Sequence, residues 1–128
     1  MAENNNFVDR INTKRELTFK APEDIYTLTP PFPREITLDI NNRCNHKCYF
    51  CANPKIRKYD SLDLNLAFDL MKQAKDNGST DLALQATGEP FMDKRLPEFI
   101  KEGKRLNYDY IYLNANGALA NPKNAKPV

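Results

Sequence analysis

The segment Cys44-Asn45-His46-Lys47-Cys48-Tyr49-Phe50-Cys51 crowds all three cysteines of the chain into eight residues, directly after a short strand pattern. Three thiols this close could form one disulfide and leave one over, but an odd count in CxxxCxxC spacing fits metal ligation better. A structural zinc site takes four protein ligands, and His46, the only histidine, is available as the fourth. An iron–sulfur cluster is usually held by four thiolates, so three would leave one iron open to chemistry. Both readings stand on the residues alone, and either requires a scaffold that holds the loop.

The scaffold is legible on both sides of the cysteines. Glu35 to Ile40 alternates apolar and polar residues at the strand period, with Ile36, Leu38 and Ile40 on one face. After the loop, Ser61-Leu62-Asp63 offers an N-cap. Leu66, Phe68, Leu70, Met71 and Ala74 then recur at helical steps until Gly78 stops the helix. A second strand follows over 81–86, then a second helix beginning near Pro97, a favoured first-turn residue. Gly103 weakens that helix by about 1 kcal/mol relative to alanine and blurs its end. A third strand over 110–114 ends at the Asn116-Gly117 turn signal. Strand, helix, strand, helix, strand implies right-handed crossovers and a parallel α/β sheet, a βαβαβ unit.

Parallel strands covered on both faces read as continuous apolar runs, and these alternate instead. Ile36, Leu38, Ile40, Leu82, Leu84, Ile111 and Leu113 are expected under the helices. The opposite face carries Thr37, Asp39, Ala83, Gln85, Tyr110, Tyr112 and Asn114. This polar face reads either as a wet, substrate-holding lumen or as a surface exposed to water.

Composition excludes several classes. With 41% hydrophobic and 28% charged residues the chain reads as one ordinary globular domain. A net charge of +2 and the lack of an aromatic-basic stripe give no case for nucleic acid. No run approaches the ~18 apolar residues of a membrane span. Met1 to Asn6 lacks the regions of a secretory signal, so a cytoplasmic protein with free thiols is expected. Arg43, Lys47, Lys55, Arg57 and Lys58 surround the cysteines, as a counterweight to a thiolate-bound cluster or simply as a solvated basic loop.

CxxxCxxC with an aromatic, Phe50, before the last cysteine resembles the cluster motif of the radical S-adenosylmethionine (radical SAM) enzymes. The resemblance implies a four-iron, four-sulfur (4Fe-4S) cluster on Cys44, Cys48 and Cys51. The amino and carboxylate groups of S-adenosylmethionine would chelate the fourth iron, and Phe50 would lie near the adenine. It further implies reductive cleavage to methionine and a 5′-deoxyadenosyl radical that takes hydrogen from a substrate the sequence does not identify. The electron would come from a donor such as flavodoxin or ferredoxin. His46 receives no ligand role and is expected to face solvent.

Two further turns fall at strand carboxyl ends, where active sites of parallel α/β folds lie. Thr87-Gly88-Glu89-Pro90 resembles the family's GGEP motif, with threonine in place of the first glycine; by resemblance Gly88, Glu89 and Pro90 meet the amino group of the cofactor. Asn114-Ala115-Asn116-Gly117 resembles an Asn-Gly element after the third strand and makes Asn116 a candidate cofactor contact, although Asn-Gly also turns for backbone reasons alone.

The resemblance covers residues 34–128 and leaves 1–33, with Pro30, Pro31 and Pro33 at its close, as an N-terminal extension. The family core is a six-unit (β/α) partial barrel, of which three strands and two helices fit here. Residues 121–128 read as the opening of a third helix. The chain therefore reads as the first half of a barrel, truncated after the third strand. A half barrel exposes a strand edge and apolar helix undersides, so a second chain or copy completing the barrel is expected. The alternative is a non-catalytic metal-binding module, holding zinc or a redox iron–sulfur centre.

Overall fold

The structure, a computed structural model, describes residues 32–51, 58–85 and 87–121. The expected extension over 1–33, except Phe32 and Pro33, and the expected helix opening after Asn121 lie outside the described residues. Strands β1 (Glu35–Leu38), β2 (Asp81–Leu84) and β3 (Tyr110–Tyr112) alternate with helices α1 (Leu64–Asp76) and α2 (Leu96–Arg105). The strands pair in parallel in the order β1-β2-β3, with Ile36 beside Leu82 and Leu82 beside Ile111. This is the expected βαβαβ unit.

Each strand is about two residues shorter than its alternating pattern. The chain leaves the ladder after Leu38 because its next polar groups are used elsewhere: Ile40 O accepts from Leu62 N at 3.0 Å, and Asn41 bridges to Ser61. The alternation of Asp39 and Ile40 still buries Ile40, at 1% exposure. Departure from the sheet thus begins the cysteine loop without giving up the core contact.

Asp63 caps α1, its Oδ1 accepting from Leu66 N at 2.9 Å. At the other end Gly78, at φ +102°, and Ser79 donate to Lys75 O and Ala74 O and satisfy the last carbonyls. Helix α2 ends the same way at a residue with no glycine signal. Asn107 adopts φ 57°, and the peptide N–H groups of Asn107 and Tyr108 donate to Lys104 O and Gly103 O. Asparagine is the usual non-glycine occupant of that position.

The core lies between the sheet and the helices. Leu38, Ile40, Leu82 and Leu84 meet Ala67 and Met71 of α1 and Leu96 and Phe99 of α2, and Phe68 meets the Phe99 ring edge-on at 6.1 Å. The expected stripe on α1 needs correction. Leu66 and Leu70 face outward at 50% and 39% exposure, while Ala67, Met71 and Ala74 are buried and Leu64 and Phe68 pack beside them. Leu66 and Leu70 lie one turn apart on a neighbouring face, and the small Ala67 and Ala74 seat the helix on the sheet.

Gly103 lies where α2 crosses the sheet. A β-carbon there would stand 2.8 Å from Ile111 Cδ1 and 3.0 Å from Leu82 Cδ2, so the glycine gives up helix propensity and gains close approach. On the opposite face Tyr110 stacks on Tyr112 at 5.2 Å, and Tyr112 Oη donates to Glu35 Oε1 at 2.8 Å. Gln85 accepts from Asn114 N, so neither Gln85 nor Tyr112 points under the helices. On this face Ala83 has no exposed surface, whereas Thr37 beside it is exposed.

Candidate functional site

The cysteine loop leaves β1 through two asparagines that fix its neck. Asn42 pairs across to the returning segment: its N–H donates to Asp60 O at 3.2 Å, its Nδ2 to Lys58 O at 2.8 Å, and its Oδ1 accepts from Asp60 N at 2.8 Å. Asn41, buried at 5% exposure, turns its side chain the other way. Its Oδ1 accepts from Arg43 N at 2.8 Å and its Nδ2 donates to Glu89 O at 3.3 Å. Sequence reasoning passed over both residues, although an asparagine side chain bonding the backbone two residues on is the signature of an Asx turn.

Within the loop Cys44 and Cys51 are half-buried, Cys48 is exposed, and all three thiols are free. Cys51 N donates to Cys48 O at 3.1 Å, closing a tight turn, and His46 N donates to Cys44 Sγ at 3.4 Å. His46 itself is exposed. Among the described residues no three His, Cys, Asp or Glu side chains converge closely enough to hold a single metal ion. Phe50 stands 78% exposed, its ring 5.3 Å from and nearly perpendicular to Tyr49. Lys47 and Lys58 are exposed, whereas Lys55 and Arg57 lie outside the described residues.

The second turn is built against this loop. Gly88 faces the backbone: a β-carbon there would come within 2.1 Å of Asn41 O and 2.9 Å of Arg43 O. Only glycine allows that approach without moving the main chain. Thr87, at the place of the motif's first glycine, hydrogen-bonds through its hydroxyl to Asp39 Oδ2, and its N–H donates to Asp39 Oδ1 at 3.3 Å. Glu89 is buried at 2% exposure, and its N–H donates to Arg43 O at 2.7 Å. Its carboxylate accepts from Phe91 N at 3.2 Å and Asn116 N at 2.8 Å. Pro90 is buried beneath the 3₁₀ turn Pro90–Met92.

Asn116 closes the arrangement from β3. Its Nδ2 donates to Asn45 Oδ1 at 2.9 Å and lies 3.9 Å from Cys44 Sγ. The structure thus brings Cys44, Gly88, Glu89 and Asn116 together at the carboxyl end of the sheet through a continuous set of hydrogen bonds.

A charged clamp, unforeseen in the sequence, backs the loop. Asp93 and Arg95 pair in two contacts, Nε to Oδ1 at 2.9 Å and an Arg95 terminal nitrogen to Oδ2 at 2.7 Å. The other Arg95 donors reach Leu62 O at 2.8 Å and Ile40 O at 3.4 Å. Burial alone would raise the Asp93 carboxyl, but the hydrogen bonds and charge of Arg95, with the charge of Arg43, hold it below the usual carboxylate range. The i, i+2 spacing of an acid and a base in an irregular segment carries no helical or strand signal.

A parallel βαβαβ sheet with three thiols and two polar turns at its carboxyl end defines a fold class and a place for chemistry. The family comparison agrees: the model of the radical SAM superfamily matches residues 38–127, and the chain belongs to that superfamily. Among solved structures the fold matches BtrN in complex with AdoMet and 2-DOIA, with TM-score 0.64 and 22% identity over 70% of this chain and 38% of that one. It also matches BtrN in an open conformation, with TM-score 0.62 and 23% identity over 70% of this chain and 42% of that one. The chain thus spans about two-fifths of the length of these structures. No curated protein matches the sequence significantly. Among the described residues no helix is long and apolar enough to cross a membrane.

Proposed function

We propose that this chain is the cluster-bearing half of a radical SAM enzyme, with Cys44, Cys48 and Cys51 as ligands of a 4Fe-4S cluster and S-adenosylmethionine on the open iron. The observation that carries the reading is the joining of three free thiols, the Gly88-Glu89-Pro90 turn and the Asn116 turn at one end of a parallel sheet. When bound, cluster and S-adenosylmethionine supply a 5′-deoxyadenosyl radical that takes hydrogen from a substrate.

The chain's own residues divide the remaining work. Asn42 and Asn41 set the width of the loop neck, and Gly88 lets the second turn reach the loop backbone. Both carboxylate oxygens of Glu89 accept peptide N–H groups, so Glu89 serves the cofactor site by fixing the Phe91 and Asn116 backbones. The Thr87 and Asp39 side chains stand at the same rim and offer polar groups to the methionine end of the cofactor. Phe50, exposed on the loop, is available to the adenine. The reading entails a reducing, cytoplasmic setting, an electron donor such as flavodoxin or ferredoxin, and a second chain or further segment that completes the barrel and supplies the substrate site.

Anaerobic reconstitution with iron and sulfide, followed by EPR of the reduced protein, tests it. The expected result is a four-iron signal that changes when S-adenosylmethionine is added and disappears in Cys48→Ser. A cluster indifferent to S-adenosylmethionine would mean that cofactor binding needs more of the barrel than these three strands. Binding of zinc alone would sink the enzyme reading.

A further inference from the structure

The three thiols are not equivalent. Cys44 Sγ has two donors among the described residues, the peptide N–H of His46 at 3.4 Å and the Asn116 carboxamide at 3.9 Å. No described residue donates to the sulfur of Cys48 or Cys51. The first donor belongs to the cysteine loop, but the second arrives from the far side of the sheet, after β3.

Asn116 is held for that task at three points. Its N–H donates to Glu89 Oε2 at 2.8 Å, and Glu89 is itself buried and bound at its other oxygen by Phe91 N. Its Oδ1 accepts from Ala118 N at 3.0 Å, which fixes the side-chain amide plane. A carboxamide has two N–H donors. One goes to Asn45 Oδ1 at 2.9 Å and the other is left toward Cys44 Sγ.

We infer that Asn116 is a positioning residue that orients Cys44 and raises the reduction potential of the cluster by donating an N–H to the Cys44 thiolate. The inference rests on the proposed cluster ligation. Its physical basis is that hydrogen bonds to ligand sulfurs stabilise the more negatively charged, reduced state, one of the levers that set iron–sulfur potentials. It makes the third strand a part of the redox site, with the buried Glu89 carboxylate as the brace between them.

The test is an EPR-monitored redox titration of the reconstituted chain, comparing wild type with Asn116→Asp and Asn116→Ala. Asn116→Asp keeps the oxygen that accepts from Ala118 N and removes both N–H donors, so the local turn survives; far-UV circular dichroism verifies the fold of each variant. The expected result is an unchanged iron and sulfide content with a reduced-to-oxidised ratio lowered about tenfold at fixed poise, equivalent to about 59 mV for one electron. Asn116→Asp should shift further than Asn116→Ala, because it also adds negative charge. An unchanged ratio in Asn116→Ala overturns the inference whatever Asn116→Asp does, since a shift in the latter alone reports only its added charge. So does loss of the cluster in folded protein, or partial loss with an unaltered ratio in what remains, since either marks a merely structural residue. A wild-type chain that takes up no cluster defeats the proposed function itself, whereas a wild-type cluster indifferent to Asn116 leaves that function standing and removes only this inference.

Discussion

The two ends of the sheet-and-helix unit are held by different forces. Between the sheet and the helices, Phe99, Met71, Leu82 and Leu84 are almost without exposed surface and cohere by apolar burial. At the carboxyl end of the sheet, Asn41, Glu89, Asn116 and the Asp93–Arg95 pair cohere by directed hydrogen bonds, many of them to peptide groups. Apolar burial is non-directional and fixes the layers without fixing any one atom. Hydrogen bonds contribute about 1 kcal/mol each and specify geometry, which is what a loop of cluster ligands requires. Stability and positioning are thus supplied by separate sets of residues, and substitutions can pull them apart.

The largest expected effect is on the packed side. Phe99→Ala removes a fully buried ring that meets Phe68 edge-on, and such truncations cost about 3–5 kcal/mol. Urea denaturation should show that loss, while the protein that remains folded still takes up iron and sulfide at the wild-type ratio. Gly88→Ala should do the reverse. Its new methyl would stand 2.1 Å from Asn41 O, so the loop backbone must move away and release the Glu89 N–H bond to Arg43 O. The expected cost is about 3 kcal/mol, because main chain and not a flexible side chain must give way, and cluster uptake should fail. If Gly88→Ala loads normally, the turn does not hold the loop and the proposed division is wrong.

A smaller effect separates the ends by pH. The folded-state pKa of Asp93 is lowered, so the stabilisation it gives is present above the ordinary carboxylate pKa of about 3.9 and is lost as pH falls through the folded value. At neutral pH Asp93→Asn should cost about 2 kcal/mol by leaving Arg95 without its charged partner. Denaturation at pH 7 and pH 3 should show the difference between wild type and variant shrinking at the lower pH. A gap that stays constant would mean that the carboxylate charge contributes nothing to the clamp.

The two ends were also unequally legible in the sequence. Period-two and helical spacing revealed the three strands and two helices, because apolar burial leaves a residue-type pattern along the chain. Even there the pattern misassigned Leu66 and Leu70, since counting apolar steps does not say which of two adjacent helix faces meets the sheet. The end of α2 was hidden because Gly103 looked like a weak point, whereas Asn107 in the left-handed conformation ends the helix. The three motifs of the site were visible, and so was their place at strand carboxyl ends. What joins them was not visible. Glu89 binds peptide N–H groups, Arg95 binds the carbonyls of Ile40 and Leu62, and Asn42 binds the backbone at Lys58 and Asp60. Backbone partners have no residue identity, so nothing in the sequence marks them.

Gly103 gives the smallest effect and the sharpest account of the packed side. Alanine there would gain about 1 kcal/mol of helix propensity, yet its β-carbon would meet Ile111 Cδ1 at 2.8 Å and Leu82 Cδ2 at 3.0 Å. Overpacking of this kind costs about 1–3 kcal/mol, so Gly103→Ala should be destabilising by about 1 kcal/mol net. Ile111→Val deletes the nearer methyl and by itself costs about 1 kcal/mol. If the contact is the cause, the two changes compensate: the double variant should lie close to wild type and fall short of the sum of the single losses by about 1 kcal/mol or more. Strict additivity in urea denaturation would mean that α2 gives way as a whole when the methyl arrives. The packed layer would then be looser than its buried surface suggests, and the rigid reference for the cysteine loop would have to be sought in the hydrogen bonds at the strand ends.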